Sequence, residues 1–339
     1  MKKLYNGVGR MVDDMIDGLV AAYPGLVARG AHPRVVRRAR PADGARKTAL
    51  VIGNGSGHEP IAVGFVGEGM LDANVAGDVF AAPPAETILE GLREVTGPAG
   101  AILLVSRHEG DVIAGREAAM MAADEGLDVR PLLMYDDISS APPGQEEDRR
   151  GAAGTLFVYK ILGAAAEEGM ATDDLFALGE AVRDATRTLA VAIAPGISPI
   201  TGEAMFTLPE GEVFIGMGVH GEPGAGRRPL GHAGELVGEM LEMLLADRPV
   251  APGTPVAVLV NGAGGCTQME LWAVYRELAR GLEARGIPAV SPVVGSLSTT
   301  QATAGFSISL LTPGEEMLRL WRAPQRTPAF PAIFAAPEG

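Results

Sequence analysis

One cysteine, Cys266, stands in 339 residues. A single thiol cannot close a disulfide within the chain, and the expected setting is a reducing one, the cytoplasm. Positive charge is also scarce: 28 Lys and Arg face 42 Asp and Glu, a formal net charge of −14. That excess repels phosphate backbones and anionic lipid, so neither nucleic acid nor a membrane surface is an expected partner. No apolar run approaches the roughly 20 residues that span a bilayer. Met1-Lys2-Lys3 is not followed by the apolar stretch of a secretory signal. Phosphate-binding loops are missing too. Gly262-Ala263-Gly264-Gly265-Cys266-Thr267 comes nearest to G-x-x-x-x-G-K-[ST], but it has no lysine. Protein-kinase signatures are absent, and Gly53-x-Gly55-x-Gly57 has the wrong spacing for a dinucleotide fingerprint. There is no His-Glu-x-x-His, and His108-Glu109-Gly110-Asp111 alone does not make a ligand set, so no metal site is expected.

What is present is apolar bulk and a layered rhythm. Apolar residues make up 47% of the chain, and its length suits two domains. Apolar spacing predicts an opening helix over 11–28. Strands are expected at 35–36, 48–52 and 73–80, a helix at 61–65, and another at 86–95. Ala101-Ile102-Leu103-Leu104-Val105 is apolar throughout, as a central strand covered on both faces would be. A helix at 114–125 and a strand at 128–134 continue a βαβ pattern with parallel pairing. Residues 136–150 read as a mobile loop rich in proline, glycine and acid. Helices at 151–168 and 172–188 precede a change of character. Strands are then expected at 191–196, 212–219, 255–261, 287–294 and 305–311, with helices at 233–247 and 268–285. The fold class read from this is α/β: two α/β domains with mixed, largely parallel sheets covered by helices, divided as 1–184 and 185–339. The basic cluster from Arg34 to Lys47 reads as a solvated face.

Chemistry concentrates at two tips. In Gly53-Asn54-Gly55-Ser56-Gly57-His58-Glu59-Pro60 an apolar strand runs into glycines whose amides can grip a hydroxyl, a carbonyl oxygen or a phosphate. The second tip, Gly216-Met217-Gly218-Val219-His220-Gly221-Glu222-Pro223-Gly224, has the same glycine, His, Glu and Pro character. His32 and His232 read as surface residues, whereas His58 and His220 follow strands beside glycines. A neutral imidazole there can act as a base or attack a carbonyl carbon. Asp111, after the central strand, offers a carboxylate partner.

These stretches, with Gly77-Asp78-Val79-Phe80-Ala81, Gly110-Asp111, Arg149-Arg150-Gly151, Val260-Asn261-Gly262, Met269-Glu270-Leu271 and Ala304-Gly305-Phe306-Ser307, cover nearly the whole chain. In combination they resemble the dihydroxyacetone kinase family, in its substrate-binding DhaK-type subunit. The resemblance implies that His220 adds to the substrate ketone as a hemiaminal. It implies that His58 and Asp111 are the acid/base pair at the terminal hydroxyl, and that Gly55, Ser56 and Gly57 cradle substrate oxygens. It implies further that this chain binds no cofactor. ATP or ADP with Mg²⁺ would sit on a separate helical DhaL-type subunit, supplied by another polypeptide, with a phosphotransferase-system protein as a possible donor. A homodimer is implied as well.

The chain also departs from the family. Where members carry Lys-Asn-Tyr-Thr-Gly-Asp, with a substrate-contacting lysine, it has Ser106-Arg107-His108-Glu109-Gly110-Asp111. The contact is lost or passes to Arg107. An Asn-Phe pair is replaced by Ala114-Gly115, which removes bulk. These changes suggest a larger or more polar ketose, such as erythrulose. Alternatives on the same fold are a sugar-phosphate isomerase or lyase, and a non-catalytic ketose-sensing coactivator.

Overall fold

The computed structural model describes residues 3–44, 46–218, 221–222 and 224–333. By contact density the chain separates into two compact units. Unit 1 is Met1–Met134, Val158–Ala181 and Ala323–Ala332; unit 2 is Tyr135–Phe157, Val182–Arg322 and Ile333–Gly339. Among the described residues no helix is long and apolar enough to cross a membrane.

Unit 1 is built on a six-stranded sheet, β1 (Val27–Arg29), β2 (Val35–Arg38), β4 (Ala73–Val79), β3 (Ala49–Ser56), β5 (Ala101–Ser106) and β6 (Val129–Met134), in that spatial order. The pairs β4–β3, β3–β5 and β5–β6 are parallel; β1–β2 and β2–β4 are antiparallel. The interior strands are apolar on both faces because both are covered. Val51, Val75 and Leu103 face Ile88, Leu89 and Leu92 of α2 (Ala85–Val95) and Val112, Ala118 and Ala122 of α3 (Glu109–Asp124) in one core. The opening helix α1 (Met11–Ala22) stops six residues short of the predicted end, and the chain turns into β1.

The stretch 61–65 is not an α-helix. Only a single 3₁₀ turn forms at Val63–Phe65, and Val66 leaves it extended. Residues 62–67 are buried throughout, so no polar stripe sets a helical face, and Gly67 comes into close backbone contact with Arg326. Arg326 N donates to Glu68 O (2.8 Å), Ala329 N donates to Gly64 O (3.0 Å), and the Phe330 ring stands edge-on to Phe65 at 5.3 Å. The basic cluster also departs from a plain solvated face. Lys47 is buried against Asp72, which also pairs with Arg38 at 3.0 Å and accepts from Leu50 N at 2.9 Å.

In unit 2 the sheet order is β11 (Ala289–Gly295), β10 (Val256–Gly262), β12 (Ala304–Leu311), β7 (Thr186–Ala194), β8 (Glu212–Ile215), β9 (Gly226–Pro229). Only β10–β11 is parallel; the other four pairings are antiparallel. The sheets are mixed as expected, but the predominance of parallel pairing holds in unit 1 alone. Here α6 (Ala233–Asp247) and α7 (Gln268–Glu283) cover one face around Val258, Ile308 and Leu278. Helix α7 is started by Thr267 in a capping box with Glu270. Helices α4 (Thr155–Glu167) and α5 (Thr172–Ala185) lie between the sheets in sequence, and α8 (Glu315–Arg322) follows β12.

The segment 136–150, expected to be mobile, is tied by buried charges at both ends. Arg149 is buried against Asp247, which also pairs with Arg187. Arg150 pairs with Asp137 at 2.8 Å. The Asp136 carboxylate accepts from Ala152 N (2.6 Å) and Gly154 N (2.9 Å).

Candidate functional site

Strands β4, β3 and β5 are adjacent and parallel, so their carboxyl ends open on one edge of the sheet, where open α/β sheets hold their ligands. Three loops meet there. The first leaves β3. Asn54 is held by Asn74 of β4, whose amide donates to Asn54 Oδ1 at 2.6 Å and to Ile52 O at 3.2 Å. Ser56 Oγ donates to Gly77 O at 2.8 Å, and Phe80 N donates to Ser56 O at 2.8 Å, tying the first loop to the second. Gly57 takes φ +100°, and a side chain there would strike the Phe80 ring. The half-buried His58 ring rests on Phe80, with centroids 5.2 Å apart and planes tilted by 44°.

Glu59 closes this loop on itself. Its carboxylate accepts from Gly57 N at 3.0 and 3.1 Å, so that amide serves the chain's own carboxylate. Burial raises the Glu59 pKa, and hydrogen bonds from Gly57 and from its own amide pull it back only in part. Just ahead of the second loop, near the end of β4, the Asp78 carboxylate pairs with Arg34 at 3.1 Å; Arg34 also reaches Asp13 at 3.1 Å.

The third loop leaves β5. Arg107 N donates to Met134 O at 3.0 Å, and His108 N donates to Ser106 O at 2.7 Å. Helix α3 starts at Glu109, five residues earlier than the sequence pattern gave, so Asp111 lies in its first turn. A carboxylate suits that end of the helix dipole. A Cβ at Gly110 would lie 3.5 Å from Ala82 Cβ, which sets this turn against the second loop. Gly115 faces Val105: a Cβ there would come 2.8 Å from Val105 Cγ2. The bulk lost at this position therefore belongs to the seam between helix and strand.

Unit 1 thus gathers Gly55, Ser56, Gly57, His58, Ser106, Arg107 and Asp111 at one sheet edge. Phe80, Asn74 and Glu59 are the participants the sequence reading did not single out. Asn74 carried a signal, being a polar residue inside the otherwise apolar run Ala73–Ala76. In unit 2, His220 lies outside the described residues, with Val219 and Pro223. The loop that carries it leaves β8 at Gly216, φ +76°, whose amide donates to Ala190 O at 2.7 Å. A Cβ on Gly224 would overlap Gly216 O, so the loop begins and ends at one backbone-to-backbone contact. Ser139 Oγ donates to Gly216 O at 2.9 Å and Arg150 donates to the same oxygen at 3.3 Å. The base of the loop is therefore pinned from the 136–150 segment.

Residues 17–329 match the Dak1 domain. The chain is 38% identical over 330 residues to the D-erythrulose kinase of Mycolicibacterium smegmatis, covering 97% of this chain but 56% of that protein. It is 37% identical over 316 residues to the dihydroxyacetone-binding subunit DhaK of PTS-dependent dihydroxyacetone kinase 1 of Listeria innocua, covering 93% of this chain and 95% of the subunit. Among solved structures, the dihydroxyacetone kinase of C. freundii superposes with a TM-score of 0.90 at 33% identity, over 99% of this chain and 61% of that one. The dihydroxyacetone kinase operon co-activator Dha-DhaQ superposes with a TM-score of 0.86 at 32% identity, over 92% of this chain and 96% of that one. The sheet order, the loops at the strand ends and these likenesses agree, and the chain belongs to the dihydroxyacetone kinase family, in its Dak1-domain, DhaK-type branch.

Proposed function

We propose that this chain is the ketose-binding component of a dihydroxyacetone-type kinase acting on dihydroxyacetone or a related short ketose such as erythrulose. The observation that supports this reading is the convergence of His58, Ser56 and the first turn of α3, with Asp111, on one edge of the unit 1 sheet. In this reading the N-terminal domain, 1–184, handles the hydroxyl that will accept phosphate, and 185–339 carry His220. The imidazole nitrogen bonds to the carbonyl carbon and the C=O π bond breaks. The proton lost from the ring ends on the oxygen as a new hydroxyl. Glycerol has no such carbon, so the adduct selects ketones. His58 and Asp111 would take the proton from the terminal hydroxyl as its oxygen bonds to the donor's terminal phosphorus and the P–O bond to the departing donor group breaks, with positioning the larger contribution.

Under the same reading the nucleotide, ATP or ADP with Mg²⁺, sits on a helical DhaL-type partner, a phosphotransferase-system protein is one candidate donor, and the chain works as a homodimer. The first test is native mass spectrometry with dihydroxyacetone and erythrulose. Each should add its own mass to the wild type, and His220→Ala should abolish the shift. Asp111→Ala should keep much of the binding and lose turnover by at least a hundredfold, the lower range for general acid–base groups. An adduct that survives His220→Ala would remove the reading.

The likeness to the operon co-activator, together with Ser106 in the place of a lysine, favours a second reading, a ketose sensor without turnover. Adduct formation with no phosphorylation in the presence of a helical nucleotide-binding subunit would select it.

A further inference from the structure

Among the described residues, three other than glycine take a left-handed backbone: Phe80, Ser291 and Gln301. Phe80, at φ +60°, is the aromatic one. A bulky side chain is rare there because its Cβ crowds the following carbonyl, and glycine is the ordinary choice. Burial does not explain the phenylalanine, since the residue is only half-buried. Its backbone is held by the loop beside it. Phe80 N donates to Ser56 O (2.8 Å), and Ala81 N donates to Asp78 O (3.1 Å). A Cβ on Gly55 would come 2.9 Å from Ala81 N, so the turn after β4 is pressed backbone to backbone on the loop after β3.

The ring that this turn presents covers two neighbours. A Cβ on Gly57 would lie 2.7 Å from Phe80 Cε1. The His58 imidazole stands beside the same ring, 5.2 Å between centroids. That spacing falls within the range of about 4.5–7 Å in which aromatic pairs attract. All of these residues belong to unit 1, so the arrangement is complete within it. An imidazole at a half-buried loop end can exchange rotamers freely unless something packs against it. Strained backbone of this kind persists where the surroundings over-determine it, and it gathers at working sites.

We propose that Phe80 is the positioning residue of His58: its left-handed turn carries an aromatic ring onto the imidazole and holds it in one rotamer at the edge of the unit 1 sheet. The proposal rests on the reading of His58 as a base at the acceptor hydroxyl, and it gives the strained turn a reason. A base that must be aligned before a proton moves loses rate, not substrate affinity, when its support goes. Glycine at position 80 would relax the backbone and remove the support, so stability and rate part company there.

The test is a series in the full chain: Phe80→Leu, Phe80→Tyr, Phe80→Ala and Phe80→Gly. NMR relaxation of histidine-labelled protein reads the imidazole, with the His58 signals identified by their loss in His58→Gln. Leucine keeps apolar bulk and deletes the aromatic ring. In Phe80→Leu the order parameter of the His58 ring should drop from the rigid range, about 0.85, to the flexible one, below about 0.6. With ketose and a helical nucleotide-binding subunit of the family, kcat should fall about ten- to hundredfold in Phe80→Leu while KM stays within about twofold. Phe80→Tyr, which keeps the ring, should restore both the order parameter and kcat. Phe80→Gly should melt above Phe80→Ala, since only glycine is relaxed at this backbone angle, and should still be slow. A His58 ring that stays ordered in Phe80→Leu, or an unchanged kcat, overturns the proposal; so does a loss that falls on KM alone. A wild type that turns over no ketose would remove the kinase reading instead, and the NMR series would still decide whether Phe80 seats the imidazole.

Discussion

Asp136 is buried, yet no cation among the described residues pairs with it; amides of Ala152 and Gly154 and a hydrogen bond with Thr188 hold it instead. Burial pushes its carboxyl up from the ordinary 3.8 to about 6, with neighbouring Asp137 adding to the rise, and those hydrogen bonds reverse only part of it. Between about pH 4 and pH 6 the folded chain keeps a proton that the unfolded chain has released. Stability from this group is therefore greatest below pH 4 and falls as the pH rises through 6, by on the order of 3 kcal/mol for a shift of about two pKa units. Asp136→Asn has nothing to titrate, so its unfolding free energy in urea should lack that fall between pH 4 and pH 7. Parallel pH curves for wild type and variant would refute this assignment. The same economy governs Glu59: a carboxylate clamped to a backbone amide shapes a loop that its sequence, Gly-Ser-Gly-His-Glu-Pro, would otherwise leave loose.

At the scale of elements, the packing of α3 on β5 turns on a glycine. Gly115 lets the helix approach Val105 closely, and adding a methyl group forces the two apart. Gly115→Ala should therefore lower stability by about 1–2 kcal/mol, because overpacking outweighs the gain of about 0.5–1 kcal/mol that alanine brings to a helix interior. Adding Val105→Ala should recover part of the loss, and thermal unfolding of the single and double variants checks it. The sequence made β5 plain because five consecutive apolar residues leave no other reading, and α6 was read to its ends because apolar spacing and its starting residue His232 agree. It hid β9, since Gly-Arg-Arg-Pro is a polar edge strand with no apolar alternation to betray it. The helix expected at 61–65 failed for the opposite reason: burial on every side erases periodicity. For the candidate site, glycine loops and histidines were legible because their residue types are unusual after strands. The supports were not. Pairing of Asn74 with Asn54, or of Arg150 with Gly216 O, depends on strand order and long-range return, which local sequence does not encode.

For the whole molecule, the chain visits unit 1, crosses to unit 2, returns through 158–181, and comes back once more at 323–332. That last visit lays Phe330 against Phe65 and closes backbone hydrogen bonds to Gly64 and Glu68. Ending the chain at Arg322 removes one buried aromatic, worth about 1.5–3 kcal/mol, and two hydrogen bonds, about 1 kcal/mol each. Hydrogen exchange over residues 62–71 should accelerate in such a truncation while that of β10 and β12 stays protected; uniform acceleration, or none, would contradict it. The order of visits also bears on birth. A ribosome releases residues from the amino end, so the layer laid over residues 64–68 emerges only after every strand of the unit 2 sheet. Until then the nascent first unit carries an uncovered apolar wall, and chaperone capture during translation should be prolonged compared with a protein whose leading domain closes on its own.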